Sequence, residues 1–119
     1  MGSHRKSSHN DLWRGLIRLH ILHHAAQQDV YGLALMEELR RHGYPIGPGT
    51  LYPLLHRLAD RGYLRERIAG PSRQRRYYAT AKGRRALIEA YHYVAELFTE
   101  LSGRPGGIRR PPAPPHEAG

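Results

Sequence analysis

Four leucines, at positions 51, 54, 55 and 58, stand between Gly47-Pro48 and Gly62, and this block constrains the fold more than anything else in the chain. Spacings of three and four put all of them on one face of a helix. Pro48 suits the first helical position, where its missing N–H costs nothing, with Gly47 as cap and Gly62 as stop. The pattern predicts a helix over 48–61. A helix of that length is marginal by itself, so other elements must cover its apolar face. Pro53 falls beyond the first turn and removes one backbone hydrogen bond, so a local distortion or a frayed first turn is expected there.

Covering elements are legible on both sides. Asn10 or Asp11 can cap a helix running to Ala26, with Leu12, Leu16 and Leu19 in one stripe and Ile17, Ile21 and Leu22 in the next. Two adjoining stripes imply burial on more than one side. Asp29 can cap a second helix that turns Leu35, Met36 and Leu39 inward, carries Arg40 and Arg41 in its last turn and stops at Gly43. Tyr44-Pro45-Ile46 makes a short connector to the leucine helix. Beyond it, Tyr63–Ala69 and Arg75–Ala79 read as strands around a Gly70-Pro71-Ser72 turn. Thr80 then caps the longest helix, 80–102, stopped by Gly103 and Pro105. The resulting division has a polar segment over 1–9, taken as a disordered N-terminus or an expression scar, and a domain over 10–79. A separate helix over 80–102 follows, then a Pro/Gly-rich tail over 103–119 that is expected to be disordered.

The 119 residues include no cysteine, which excludes a disulfide framework, a thiolate nucleophile and thiolate-bound zinc fingers. No apolar run approaches the roughly 18 residues of a membrane span and no secretory signal is visible, so a soluble cytoplasmic protein is expected. The formal net charge of +9 is unevenly placed: residues 40–85 hold twelve Arg or Lys against only Asp60 and Glu66, a net of +10. Of the 19 cations, all but Lys6 and Lys82 are arginine, whose planar fork pairs bidentately with phosphate or guanine edges. Such clustering marks a face that meets a polyanion. Catalysis has little footing: there is no nucleophile elbow, no Gly-rich phosphate loop before a helix and no close carboxylate pair in an apolar setting.

Three short helices and a hairpin with a basic tip outline a mainly α (α+β) winged helix-turn-helix, with a two-stranded wing and a long C-terminal helix. In that architecture the third helix enters the major groove and the hairpin lies along an adjacent groove or the phosphates. The inward leucines leave Gly49, Thr50, Tyr52, His56 and Arg57 pointing outward, and the wing carries Arg73, Gln74, Arg75 and Arg76. Double-stranded DNA is the expected partner. The pairs Arg40-Arg41 and Arg84-Arg85 stay open between phosphate contacts and solvated helix faces.

Gly49-Thr50-Leu51-Tyr52-Pro53-Leu54-Leu55-His56-Arg57-Leu58, followed by Asp60-Arg61-Gly62-Tyr63-Leu64, resembles the PadR family of prokaryotic transcriptional regulators. Further landmarks are Val30-Tyr31-Gly32, Arg76-Tyr77-Tyr78 and Thr80-Ala81-Lys82-Gly83-Arg84, so the resemblance spans residues 11–101. The family pattern carries a proline where Pro53 stands, and a single C-terminal helix is similar to its smaller subfamily. The resemblance implies a nucleoid-associated repressor relieved by a planar aromatic effector at the dimer interface. It further implies that Leu16 and His20 face the dimer axis opposite Tyr91, Val94 and Phe98.

Independently of the resemblance, Leu87, Tyr91, Val94, Phe98 and Leu101 follow one another at spacings of four and three, an apolar seam that asks for a partner surface. A homodimer on a palindromic operator is expected; the other reading packs this seam on the chain's own first helix. Trp13 is open between core, interface and effector stacking. His20, His23 and His24 share a helix face, but no carboxylate lies at matching spacing and thiolates are absent, so no metal site and no cofactor are expected. Two alternatives remain: a DNA-binding protein that needs no ligand, and an adaptor holding an acidic protein partner.

Overall fold

A computed structural model describes residues 2–103. The elements run α1 (Gly2–Gln27), β1 (Val30–Tyr31), α2 (Gly32–Arg41), α3 (Pro48–Asp60), β2 (Leu64–Ala69), β3 (Gln74–Ala79) and α4 (Ala81–Ser102). This is the expected winged helix-turn-helix, in which α1, α2 and α3 pack around a core closed by the hairpin. Residues 104–119, most of the expected tail, lie outside the described part.

The leucine block forms the predicted helix. Leu51, Leu54, Leu55 and Leu58 are all buried, against Ile17, Ile21, Leu22 and Ala25 of α1 and Leu35, Met36 and Leu39 of α2. Gly47 caps α3 with extended backbone, and the Leu51 amide donates to the Gly47 carbonyl at 2.9 Å. Helix α3 runs unbroken through Pro53. The lost bond would have gone to the Gly49 carbonyl, and both residues lie on the exposed face, where water can take its place. Helices α2 and α3 end alike. Gly43 and Gly62 take positive φ, of 100° and 83°, and the next amides, Tyr44 and Tyr63, reach back to the Leu39 and Leu58 carbonyls.

Three expectations need correcting. Helix α1 begins at Gly2, so Asn10 and Asp11 lie inside it rather than at its cap, and residues 2–9 are helical. Asp29 does not cap α2, whose N-cap is Tyr31 with no side-chain cap bond. Its carboxylate instead faces Arg67, at 3.9 Å. The residues between, Val30 and Tyr31, are extended because they pair with Tyr77 and Arg76, which gives a three-stranded antiparallel sheet in the order β1-β3-β2.

The hairpin pairs Leu64 with Ala79 through to Ala69 with Gln74 around a tight turn, in which the Arg73 amide donates to the Gly70 carbonyl at 3.1 Å. Alternation along β3 sends Tyr77 and Ala79 into the core and leaves Tyr78 half-exposed. Thr80 caps α4 as expected: its hydroxyl accepts from the Gly83 amide at 3.0 Å and donates to the Gly62 carbonyl at 2.5 Å. Among the described residues no helix is long and apolar enough to cross a membrane.

Candidate nucleic-acid interface

Opposite the buried leucines, α3 turns Gly49, Tyr52, Pro53, His56 and Arg57 outward, with Thr50 half-buried at its edge. These residues recur at three and four, so they form a single stripe along the helix. The early ones sit where unpaired amides and the helix dipole favour a phosphate. Thr50 leans toward Trp13, Ile17, Tyr44, Pro45 and Ile46, which line a shallow depression beside the start of α3.

Tyr52 is less free than its position suggests. Its ring lies on Gly32 at the start of α2, and it lines a cleft with Tyr31, Leu33, Gln74, Arg75 and Tyr77. The side chain therefore reaches from α3 to the start of α2, beside the wing. A Cβ on Gly32 would stand 2.6 Å from the Tyr52 hydroxyl. Gly32→Ala is therefore expected to cost little stability, about 1 kcal/mol, because the ring can swing away. Thermal unfolding checks this, with a drop of about 4–8 °C in melting temperature expected and no loss of helix content.

The cationic stretch divides into structural and available charges. Arg40 donates from Nε to the Ile46 carbonyl at 2.9 Å and so ties the connector to α2. Lys82 lies over the Tyr63 ring and donates to the Arg61 carbonyl at 2.7 Å, at the negative end of α3. Arg76 is half-buried and stacks on Tyr31, with its guanidinium 4.8 Å from the ring centre. Arg75 is exposed but paired with Glu66 at 3.1 Å. The same carboxylate accepts from the buried Tyr77 hydroxyl at 3.2 Å, and burial, with Glu66 alongside, pushes the Tyr77 phenol above its ordinary pKa. Arg73 sits at the tip, exposed, with φ of 54°. Arg57, Arg65, Arg67, Arg73 and Arg75, with Gln74, therefore face solvent, while Arg76 belongs to the sheet packing.

The second predicted set also divides. Leu16, His20, Leu87, Tyr91 and Val94 line one apolar cleft between α1 and α4, of about 220 Å³. Leu19, His23 and Ala90 complete it; each stands three residues after a predicted member, so helical spacing alone would have found them. His23 Nδ1 lies 3.0 Å from the Tyr91 hydroxyl. Trp13 is not there: it sits by Tyr44 and Thr50, on another side of α1. Phe98 and Leu101 lie further along α4, past the cleft. His20 also contacts the rings of His42 and Tyr44, from α2 and its connector. Burial, reinforced by the facing His42, His24 and His23, lowers the His20 pKa. Burial also lowers that of His24, against the pull of Glu38.

A winged helix-turn-helix with an exposed recognition stripe and a basic wing defines the class of DNA-binding transcription regulators. Comparisons agree. The model of the PadR-like family of transcriptional regulators matches residues 21–89. Transcriptional regulator Rv3488 of Mycobacterium tuberculosis is 49% identical over 92 residues, covering 76% of this chain and 86% of the relative. Among solved structures, a PadR family regulator from Eggerthella lenta superposes with a TM-score of 0.65 at 31% identity, over 84% of this chain and 93% of the other. The protein smu.1704 from Streptococcus mutans gives a TM-score of 0.69 at 26% identity, over 82% and 92%. The chain belongs to the PadR-like family of transcriptional regulators, which are not enzymes.

Proposed function

We propose that the chain works as a homodimer that binds a palindromic operator, represses transcription there and is released by a planar aromatic effector. The observation that carries this reading is the exposed apolar face of α4 among the described residues. Leu97 and Phe98 are 54% and 59% exposed, and the face continues through Val94 and Tyr91 to Leu16 of α1. An uncovered apolar surface of that extent, on a helix that outruns its own domain, fits a second copy of the chain. Two-fold pairing would set two α3 helices a fixed distance apart, one per operator half-site. The cleft beside Leu16, His20, Tyr91 and Val94 would then lie at the dimer boundary, where an aromatic molecule changes that distance. A ligand that prefers one spacing over the other by about 1–3 kcal/mol shifts operator affinity accordingly. The protein would act in the cytoplasm, on the nucleoid.

The test is duplex binding at several salt concentrations, with and without an operator taken from the protein's own upstream DNA. Contact with six or so phosphates predicts that log K falls against log salt with a slope near −5. Arg73→Glu is expected to weaken all duplexes alike and to flatten that slope by about 1, because a phosphate contact carries no sequence information. Arg57→Ala should instead erode discrimination between operator and random duplex, by about 1–3 kcal/mol. Identical behaviour of the two variants would overturn the assignment of α3 and the wing. An unchanged operator affinity across a panel of planar aromatics would remove the effector and leave a ligand-independent repressor.

A further inference from the structure

Three imidazoles meet where α1 crosses the end of α2. His20 and His24 stand one turn apart on α1, and His42 forms the C-cap of α2. One ring nitrogen from each lies within 4.8 Å of the others. The His20 and His42 ring centres are 4.8 Å apart, and those of His24 and His42 are 6.2 Å apart and stacked. Among the described residues, His24 Nε2 is buried with no hydrogen-bond partner, a polar atom that a folded interior does not leave without a reason. Beside the three rings, the Glu38 carboxylate stands 3.3 Å from His42 Nε2 and also holds Arg41.

From this geometry we infer a binding site for a divalent first-row transition-metal ion of the zinc type, with His20, His24 and His42 as ligands. Imidazole nitrogen suits zinc, cobalt, nickel and copper, whereas calcium and magnesium take oxygen, so a three-nitrogen set selects the former group. Four-coordinate zinc has metal–nitrogen bonds of about 2.0–2.1 Å, which puts ligand nitrogens about 3.3 Å apart. The observed spread exceeds that by at most about 1.5 Å, which rotation of the side chains on binding would close. Glu38, beside His42, supplies what a metal-bound imidazole ordinarily has, a carboxylate that orients the ring. The fourth position is left to water. An ion there would satisfy His24 Nε2 and clamp α1, which carries the cleft shared with α4, to α2, which packs on the recognition helix.

The experiment uses the full chain, stripped of metal, titrated with Co²⁺ and then with Zn²⁺. The expected result is one Co²⁺ per chain, with the visible absorption of a four-coordinate ion, displaced by one equivalent of Zn²⁺. His42→Asn and His24→Gln should each weaken binding at least tenfold. His42 is exposed at a helix end, so its replacement leaves the fold intact by circular dichroism. Glu38→Gln should weaken binding about tenfold through loss of ring orientation. Replacement of His4, His9 and His92 together by Gln should leave both the affinity and the spectrum unchanged. The inference is overturned if the chain binds no stoichiometric Co²⁺ at 100-fold molar excess. It is equally overturned if His42→Asn binds like the parent, or if the variant lacking His4, His9 and His92 loses the signal. Because the readout is the cobalt spectrum, it stands or falls apart from the operator reading above.

Discussion

A chain carrying Leu97→Glu and Phe98→Glu together is expected to sediment as single subunits and to lose operator affinity by at least about a hundredfold. Both side chains are more than half exposed on α4, and neither lines the α1–α4 cleft or touches the core. Replacing them should therefore change subunit stability by no more than about 0.5 kcal/mol. In the proposed dimer the same positions would be enclosed by apolar surface, and a carboxylate without a partner there would cost several kcal/mol. The DNA effect follows from linkage between half-sites. One bound subunit holds the second at a high effective concentration, an advantage of about 10² to 10⁴ that vanishes when the two separate. Sedimentation and gel shifts on full and half operators check both parts. The half-site affinity of the variant should equal that of the parent, whereas the full-site affinity should collapse onto it. A variant that remains dimeric would move the interface elsewhere.

How much of this was legible beforehand depends on whether the signal is local. The leucine helix, its glycine stop, the hairpin and the Thr80 cap were all written in neighbouring residues, and all appear where expected. Strand β1 was not, since two residues carry no periodicity; Val30 and Tyr31 become a strand only because Tyr77 and Arg76 lie alongside. That pairing also overrides Asp29 as a cap and starts α2 at Gly32, under Tyr52. The charge count located the basic region but could not separate Arg40, Arg76 and Lys82, which serve the fold, from Arg57 and Arg73, which face solvent. Trp13 and Leu16 share a helix, yet tertiary packing sends one toward Thr50 and the other toward Tyr91. The histidine cluster shows the same limit. Spacing on α1 offered His20 and His24, whereas His42 and Glu38 arrive from α2 and no local rule brings them there.

Gly83→Ala should be the most damaging single-atom change in the described chain, although it adds a methyl group to a helix. In an exposed helix the exchange normally stabilises by about 1 kcal/mol. Here the new Cβ would stand 2.2 Å from the Tyr63 carbonyl oxygen and 3.1 Å from its carbon. That carbonyl has nowhere to go. It accepts the Thr80 amide at 3.1 Å, its own amide is bound to Leu58 at 2.9 Å, and the next residue, Leu64, is already paired with Ala79. Relief must come from moving the first turn of α4 away from the α3–β2 junction, which breaks the Thr80 bonds to Gly62 and Gly83 and loosens Leu87 from the core. A loss of about 2–4 kcal/mol is expected, a drop of roughly 10–25 °C in melting temperature for a domain of this size. Gly15→Ala is the matched control: its Cβ meets nothing within 4 Å, so the same exchange on α1 should raise the melting temperature by a few degrees. Thermal unfolding of the two variants beside the parent decides it. Equal shifts would mean that α4 does not cross Tyr63 this closely, and that its direction away from the wing, on which the spacing of the two recognition helices in the proposed dimer would depend, is set by something else.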